Sequence, residues 1–361
     1  MKQEDIINYR LVDQQISHPT LKNPGDVVSF LCAVQAQDYL GALWAIGLRM
    51  PNATQESIEQ AIVQKGIIRT WPMRGTLHFV SPADVRWMLG LLSEPAIPKY
   101  QRNHGLNDMI LKSGKSVLVN AFKGNEQMTR NEIYHAFRRS EVPVLGKRDV
   151  QRHIIRRAGR EGLICFGSHN ENQPTFTLLD RWVPKGKTLS REGALAEMAR
   201  RYFTSHGPAT LKDFIWWSGL KVSDARAAVK AASLELAEEE FDNVAHWMPQ
   251  NIRELRDASP TAYLLPAFDE YLIGYRDRSA MLDIKHAKKV VPGGNGMFLP
   301  IALIDGRVVG TWKRTIKKDR IDIHLNPFAK LGREQYEAIA IAAERYGRFI
   351  GRRVILEKNQ K

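Results

Sequence analysis

The sequence predicts an α+β fold in which tandem winged-helix units, each a helix-turn-helix with a β-wing, precede a small C-terminal β-barrel and form a C-shaped molecule. Three observations lead to this prediction. Residues 129–179 show the order helix, helix, hairpin; the same order recurs before and after them; and short strands with tight turns fill the chain from about residue 260.

The central unit begins with Thr129-Arg-Asn-Glu132, a capping box whose two side chains can satisfy each other's backbone N–H groups at the start of a helix. A second helix follows a turn and carries apolar residues at helical spacing. Gly162 ends this helix, and two short strands joined by a polar turn form the wing. The predicted bounds are 129–139 and 147–161 for the helices, 163–166 and 175–179 for the strands, and 167–174 for the turn.

One face of the second helix is basic, because arginines recur along it every four residues and therefore share one side. A solvated helix face is the plain alternative, but such faces normally mix glutamate with lysine, and here Asp149 is the only acid before Glu161. Helix-turn-helix proteins place this second helix in the major groove, which favours contact with DNA. The predicted contacts are Lys147, Arg148, Arg152, Arg156, Arg157 and Arg160.

Similar units are predicted on both sides of the central one. Upstream, a helix at 54–63 precedes strands at 66–71 and 76–80, and downstream a capping signature at 210–213 opens a helix. The downstream wing is acidic, so that unit is expected to pack on protein or hold the shape of the molecule without touching phosphate. Its predicted elements are helices at 210–217 and 223–233 and a strand at 234–241. The predicted domains are 1–110, 111–185, 186–258 and 259–361.

The C-terminal region is predicted to form a small barrel or curled sheet, because short apolar strands follow one another closely. Asp305-Gly306 is its strongest hairpin signal, since Asp and Gly readily take the positive φ of a two-residue turn. The predicted strands are 262–268, 271–274, 297–304, 307–312, 320–324 and 353–356, with a helix at 333–349. A basic cluster at one hairpin end either contacts DNA or blocks aggregation at a sheet edge, and consists of Lys313, Arg314, Lys317, Lys318 and Arg320.

The charge of the chain favours a polyanionic partner. Its 361 residues include 53 Lys and Arg against 39 Asp and Glu, which gives a net charge of +14 and a pI of about 9.7. Double-stranded DNA is the expected partner. No apolar run reaches the roughly 18 residues of a membrane-spanning helix, and the N-terminus lacks the features of a signal peptide. We therefore expect a cytoplasmic, nucleoid-associated protein.

The cysteine pattern supports neither a disulfide framework nor a structural zinc site. Cys32 and Cys165 are each flanked by apolar residues, without a CxxC pattern or a nearby histidine. Both are predicted to be core thiols. No metal and no cofactor are expected.

The glutamine pair Gln35 and Gln37 lies between two predicted helices. Asn23-Pro24-Gly25-Asp26 is a good start for the first helix, and Asp38 can cap the second. Residues two apart on an unbroken helix point about 200° from each other, so both glutamines can serve one site only if the helix breaks at Asp38. Without such a break, the two glutamines are ordinary polar side chains at the protein surface.

Four segments of the chain carry a family resemblance: Val34-Gln-Ala-Gln-Asp38, Arg69-Thr-Trp-Pro-Met-Arg-Gly-Thr-Leu-His78, Leu264-Leu-Pro-Ala-Phe-Asp-Glu-Tyr-Leu-Ile-Gly-Tyr-Arg-Asp-Arg278 and Gly306-Arg-Val-Val-Gly-Thr-Trp312. Together they resemble the winged-helix DNA-binding family that contains the AlkZ/YcaQ crosslink-repair DNA glycosylases. The resemblance spans residues 5–356. It implies tandem winged helices with a C-terminal β-barrel and hydrolysis of the N-glycosidic bond of N7-alkylated purines. It also implies that the family's catalytic Gln-x-Gln motif corresponds to Gln35 and Gln37, as in the AlkZ-like branch; the YcaQ-like branch has Asp at the second position.

An uncharged pair suits the reaction that the resemblance implies. Ordinary glycoside hydrolysis needs one carboxylic acid for the leaving group and a second carboxylate for water. An N7-alkylpurine is already cationic and departs without a general acid, so amide oxygens need only hold the water and face the developing positive charge. No lysine Schiff base is required, which favours a monofunctional glycosylase. Because a crosslinked base is tied to both strands, we expect an open groove instead of a flipping pocket.

Two further groups of residues have open interpretations. Arg74 and His78 are predicted to contact phosphate near the glutamines, although a histidine beside Phe79 is more often structural, and no catalytic role is expected for it. The Asp269-Glu270 pair and Asp277 could indicate metal binding or acid–base chemistry, but structural partners are expected instead, namely Tyr271, Tyr275, Arg276 and Arg278.

A noncatalytic DNA-binding protein, such as a transcription regulator, is the alternative function. Regulators usually bind palindromic operators as dimers, and this chain has no obvious dimerisation helix or heptad run. Tandem winged helices in one polypeptide suit a monomer bound to one duplex segment. The sequence therefore favours the glycosylase.

Overall fold

Helices and short strands alternate along the chain in a mixed α+β fold. The computed structural model describes residues 2–92, 106–170, 173–186, 188–251, 259–294 and 296–357. The described helices are α1 (Gln3–Asp13), α2 (Pro24–Phe30), α3 (Tyr39–Leu48), α4 (Gln55–Val63), α5 (Val85–Leu92), α6 (Asp108–Ala121), α7 (Arg130–Arg138), α8 (Arg148–Arg160), α9 (Leu179–Trp182), α10 (Arg191–His206), α11 (Leu211–Ser218), α12 (Val222–Ala232), α13 (Glu270–Ile273), α14 (Ala287–Val290) and α15 (Arg333–Ile350).

Strands account for most of the remaining regular structure. They are β1 (Val34–Gln35), β2 (Ile68–Met73), β3 (Thr76–Val80), β4 (Met128–Thr129), β5 (Ile164–Asn170), β6 (Gln173–Leu178), β7 (Leu236–Phe241), β8 (Val244–Pro249), β9 (Ala262–Leu265), β10 (Ile301–Ile304), β11 (Arg307–Ile316), β12 (Arg320–Pro327) and β13 (Arg353–Glu357). Contacts divide the chain into a larger unit, Met1–Gln60 with Glu192–Lys361, and a smaller unit, Ala61–Arg191.

The smaller unit contains the helices and hairpin predicted for residues 129–179. Thr129 N donates to Glu132 Oε2 at 2.6 Å and Glu132 N to Thr129 Oγ1 at 3.4 Å, so the capping box forms and begins α7. Strand β4 pairs with β6, and β6 pairs with β5, in one antiparallel sheet. The hairpin strands are longer than predicted, because β5 extends to Asn170 and β6 begins at Gln173. Residues 171–172 of the predicted turn lie outside the described residues.

The predicted apolar face of helix α8 packs against an apolar core. Ile154 and Ile155 are buried, and so are Val150 and Ala158. Small residues allow close packing here: a Cβ added to Gly159 would lie 2.4 Å from Trp71 Cε3. The opposite face of α8 is left at the surface.

The hairpin of β2 and β3 is tighter than predicted. Strand β2 continues to Met73, and Arg74 and Gly75 form the turn with φ of 50° and 66°. Positive φ at both central positions matches the right-handed twist of the flanking strands.

The larger unit contains a five-stranded sheet in the order β13-β12-β11-β10-β9. Strand β13 pairs with β12 in parallel, whereas the other pairs are antiparallel. The sheet is a curled half-barrel, on which α15 packs against β9. Asp305 and Gly306 form the predicted two-residue turn with φ of 47° and 72°.

Two C-terminal strand predictions are wrong. Residues 271–274 were expected to form a strand, but Glu270–Ile273 is a helix, because Asp269 accepts a hydrogen bond from Tyr271 N at 2.9 Å and caps it. A short apolar run is too brief for the spacing of its apolar residues to distinguish a helix from a strand, so the cap determines the local structure. The strand expected at 297–304 is confined to Ile301–Ile304.

Helices α10, α11 and α12 precede a hairpin of β7 and β8 in the larger unit. The predicted capping signature forms, since Thr210 N donates to Asp213 Oδ2 at 3.0 Å. The acidic residues of β7, Glu238, Glu239 and Glu240, are exposed. Both cysteines are buried in the free form, as predicted. Within the described part of the chain, no helix combines the length and apolar character needed to cross a bilayer.

Candidate functional site

The glutamine pair lies in the short connection between α2 and α3. Helix α2 ends at Phe30, Cys32 turns the chain with a φ of 67°, and Gln35 belongs to the two-residue strand β1. Asp38 then begins α3, because its Oδ1 accepts a hydrogen bond from Gly41 N at 3.2 Å. Asp38 therefore caps the second helix as predicted, but the break begins earlier than predicted, after Phe30. This break frees the two glutamines from helical spacing.

The two glutamine side chains meet. Gln35 Nε2 donates a hydrogen bond to Gln37 Oε1 at 2.8 Å. Gln35 is 8% exposed, whereas Gln37 is exposed to solvent. The bond uses one amide donor and one carbonyl lone pair, so the Gln35 carbonyl oxygen and a second lone pair of Gln37 Oε1 keep their capacity to accept. The pair can therefore present two acceptor oxygens to one water molecule.

A buried carboxylate lies directly behind Gln35. Glu270 Oε1 accepts a hydrogen bond from the Gln35 backbone N at 3.1 Å, and Oε2 accepts one from Trp217 Nε1 at 2.9 Å. His206 Nε2 lies 3.5 Å from the same Oε2. The sequence showed Glu270 only as half of an acidic pair. Its partners are distant in sequence, and the family motif that contains it was the one available signal.

The other half of the pair, Asp269, is bound by a buried arginine. Its oxygens accept hydrogen bonds from both Arg49 Nη groups at 2.8 and 2.9 Å. Gln14 Oε1 also accepts from Arg49, and Gln14 Nε2 donates to Tyr275 Oη at 3.0 Å. Structural partners were predicted for this pair, but Arg49 takes the place expected for Arg276 and Arg278.

Buried tyrosines complete this polar interior. Burial raises the pKa of Tyr275 above its ordinary range, so its hydroxyl stays protonated and donates to His206 O at 2.8 Å. Tyr202 stacks on the His206 ring with centroids 4.8 Å apart. Within the described ranges, no group of three or more His, Cys, Asp and Glu side chains could hold a metal ion.

The basic hairpin of β11 and β12 contributes one arginine near the glutamine pair. Arg314 Nη2 lies 4.0 Å from Asp38 Oδ2, next to Gln37 in sequence. Lys317 Nζ forms an ion pair with Asp322 Oδ2 at 2.5 Å. The remaining predicted contacts of this hairpin, Lys313 and Lys318, are exposed.

The basic stripe of α8 is largely on the surface of the smaller unit. Its N-terminal members are exposed, whereas Arg157 is half-buried and donates to Glu161 at 2.6 Å. Arg156 donates to the Gly75 carbonyl of the β2–β3 turn, and burial, followed by repulsion from Arg160, lowers its pKa. The exposed members are Lys147, Arg148, Arg152 and Arg156, and the half-buried ones are Arg157 and Arg160.

Arg74 and His78 differ in exposure. Arg74 is exposed at the turn that Arg156 contacts. His78 has 0% exposure, and its Nδ1 lies 3.1 Å from the Thr76 carbonyl. The structural alternative is therefore favoured for His78, because a side chain without exposed surface cannot reach a phosphate.

Comparison with known proteins matches nearly the whole chain. A family model described as "DNA glycosylase AlkZ-like" matches residues 28–349. The chain is 26% identical over 329 residues to an interstrand DNA cross-link repair glycosylase of Streptomyces sahachiroi, covering 85% of this chain and 86% of that protein. It also resembles the solved structure of the Streptomyces sahachiroi DNA glycosylase AlkZ, with a TM-score of 0.82, 23% identity and coverage of 99% and 100% of the two chains.

Proposed function

This chain belongs to the AlkZ-like family of DNA glycosylases, and we propose that it hydrolyses the N-glycosidic bond of bulky or interstrand-crosslinked N7-alkylpurines in duplex DNA. The curated relative is named for cross-link repair, which supports this lesion class. The charge of +14 supports a polyanionic substrate. The alternative of a noncatalytic regulator receives no support from a family of glycosylases.

The contact between Gln35 and Gln37 carries the proposal. Gln35 Nε2 is hydrogen-bonded to Gln37 Oε1 at 2.8 Å, and in this arrangement one water can donate a hydrogen bond to each of the two side-chain carbonyl oxygens. The water's lone pair then faces the anomeric carbon of a bound deoxyribose. The same oxygens lie beside the positive charge that develops on the sugar, which they stabilise.

The leaving group needs no proton from the protein. An N7-alkylpurine carries a positive charge that is neutralised as the glycosidic bond breaks, so the electrons of that bond stay with the departing base. The attacking water forms the new bond to the anomeric carbon and releases a proton to solvent. The reaction therefore needs no counterpart of the glycosidase acid, and the two amides take the place of the carboxylate that positions the water.

DNA contact is proposed for both units. In the larger unit we assign it to Lys313, Arg314, Lys317 and Lys318, and in the smaller unit to Arg74, Lys147, Arg148, Arg152, Arg156, Arg157 and Arg160. The order helix, strand, helix, helix, hairpin from α6 to β6 supports a winged-helix interpretation of the smaller unit. The tandem winged helices, the four predicted domains, the C-shaped outline and the monomeric state remain predictions.

The test is base release from DNA carrying an N7-alkylguanine adduct or crosslink, with abasic sites cleaved by alkali and counted under single-turnover conditions. We expect Gln35→Ala and Gln37→Ala each to lower the rate by roughly 10²–10³-fold, the range for removing one stabilising group in a preorganised site. Gln60→Ala, an exposed glutamine on α4, is the matched control and should keep the wild-type rate. Full activity of the Gln35 and Gln37 variants would overturn their roles, and inactivity of the wild type on every such lesion would overturn the function.

A further inference from the structure

Glu270 is a buried acid that the proposed reaction does not use directly. Its side chain has 0% exposure. Taking a carboxylate out of water is unfavourable unless hydrogen bonds replace the lost solvent, and an apolar residue of similar size is often as stable in such a place. Packing alone therefore does not account for an acid at this position.

The carboxylate joins the glutamine motif to two helices of the same unit. Oε1 accepts from the Gln35 backbone N at 3.1 Å, and Oε2 accepts from Trp217 of α11 at 2.9 Å. His206, at the end of α10, lies 3.5 Å from Oε2. Each carboxyl oxygen therefore accepts an N–H group, and the Gln35 peptide is tied through this side chain to α11.

The backbone on both sides of the contact adopts a disfavoured conformation. Cys32, three residues before Gln35, has a φ of 67°, and Phe268, two residues before Glu270, has a φ of 59°. Neither residue is a glycine, and non-glycine residues in this region persist only where the surrounding structure holds them. One such residue precedes Gln35 and the other precedes Glu270. The fold therefore keeps Gln35 and Glu270 in contact at a conformational cost.

The far end of the motif is fixed independently. Asp38 caps α3 through Gly41 N, and Trp44 of α3 donates to Leu264 O of β9 at 2.7 Å. Strand β9 is followed after four residues by α13, which carries Glu270. The sheet therefore places both the helix after the glutamines and the carboxylate behind them.

From these contacts we infer that Glu270 is a positioning residue for the glycosylase reaction. It fixes the Gln35 N–H, and with it the direction of the Gln35 side chain, so that Gln35 and Gln37 hold the water in one geometry. This inference rests on the proposed function, in which Gln35 binds that water. The Trp217 indole in turn holds the carboxylate through a hydrogen bond, and the His206 ring lies beside it.

Glu270→Gln is the decisive variant. The amide keeps the shape of the side chain but replaces one acceptor oxygen with an NH₂ group, so either the Gln35 N–H or the Trp217 indole N–H must face a donor. We expect the single-turnover rate to fall by roughly 10–100-fold, as for other residues that orient a reacting group from behind. The Kd for lesion-containing DNA should stay within about twofold, because Glu270 does not touch DNA.

Asp213→Asn is the matched control. Asp213 is a buried carboxylate of the same unit whose oxygens also accept backbone N–H groups, at Thr210, Arg276 and Asp277. We expect it to lower the Tm of unfolding and leave the rate unchanged. Equal loss of rate in both variants at matched Tm would reduce Glu270 to a structural residue and overturn the inference.

A double variant separates action through Gln35 from general damage. If Glu270 acts through the Gln35 side chain, adding Glu270→Gln to Gln35→Ala should produce no further loss of rate, while its effect on Tm should persist. If the double variant instead loses the product of the two single rate losses, the inference is contradicted.

Backbone amide exchange tests the anchor without relying on activity. We expect Gln35 N–H to exchange slowly in the wild type and at least tenfold faster in Glu270→Gln, and slow exchange in both would overturn the anchor. If Glu270→Gln does not fold, Trp217→Phe keeps an aromatic ring, removes the indole donor and should accelerate exchange at Gln35. Because this readout needs no lesion, it stands even if the wild type proves inactive on N7-alkylguanine, which would defeat the proposed function alone.

Discussion

The larger unit buries an ion pair in its interior, whereas the smaller unit carries its basic stripe outside a cluster of apolar side chains. Arg49, Asp269 and Glu270 are between 0 and 3% exposed. In the smaller unit, the cluster around Phe166 and Phe176 is made of apolar side chains, and the arginines of α8 lie outside it. The difference is one of use: buried charges orient neighbouring groups, and exposed charges remain available to a polyanion.

The difference also concerns distance along the chain. Arg49 and Asp269 are 220 residues apart, and Gln35 and Glu270 are 235 apart. In the smaller unit the ion pairs join residues that are closer in sequence, from one helical turn for Arg157 with Glu161 to 94 residues for Arg86 with Asp180. Three variants should sharpen this contrast.

The largest expected effect is on the buried pair of the larger unit. Arg49→Met leaves the Asp269 carboxylate buried without its cation, which should lower the free energy of unfolding by about 3–5 kcal/mol. Urea denaturation monitored by tryptophan fluorescence measures this loss in the free energy of unfolding. The double variant Arg49→Met with Asp269→Asn removes both charges and should lose much less than the sum of the two single changes. Simple additivity would mean that the two charges are not coupled.

An intermediate effect is expected on DNA binding by the smaller unit. Arg148→Ala should reduce the slope of log K against log salt by about 1, the change for one lost phosphate contact. Its free energy of unfolding should change by less than about 0.5 kcal/mol, because the residue is exposed. Arg333→Ala, an arginine with a 91% exposed side chain on α15, is the control and should keep the slope. An unchanged slope for Arg148→Ala would remove that residue from the DNA-contacting surface.

The smallest effect concerns pH. Burial alone would raise the pKa of Glu161, but hydrogen bonds and charge from Lys115 and Arg157 outweigh it and lower that pKa. A lowered folded-state pKa stabilises the fold above the pKa of the unfolded chain, and this stabilisation is lost as pH falls through the folded pKa. We expect Glu161→Gln to cost under about 1 kcal/mol at pH 7 and less at pH 3. A Tm difference from wild type that stays constant between these pH values would rule out this linkage.

Local signals in the sequence were reliable where one side chain fixes one turn of backbone. The cap at Thr129 with Glu132, the start at Asn23 and the turn at Asp305-Gly306 all form as predicted. The cap at Asp38 belongs to the same class, and with it came the prediction that Gln35 and Gln37 share a site. The strand predicted at residues 271–274 is wrong because a short apolar run fits both a strand and a helix.

The sequence by itself determined several helix starts and tight turns, the basic face of α8 and the identity of the two glutamines, because capping, periodicity and a short motif are encoded within one or two helical turns. Only the tertiary structure decided what surrounds them. It brought Arg49 to Asp269, buried His78, and placed the Glu270 carboxylate on the Gln35 N–H. No spacing rule links residues more than 200 positions apart, so the partner of a buried charge is known only once the chain has folded.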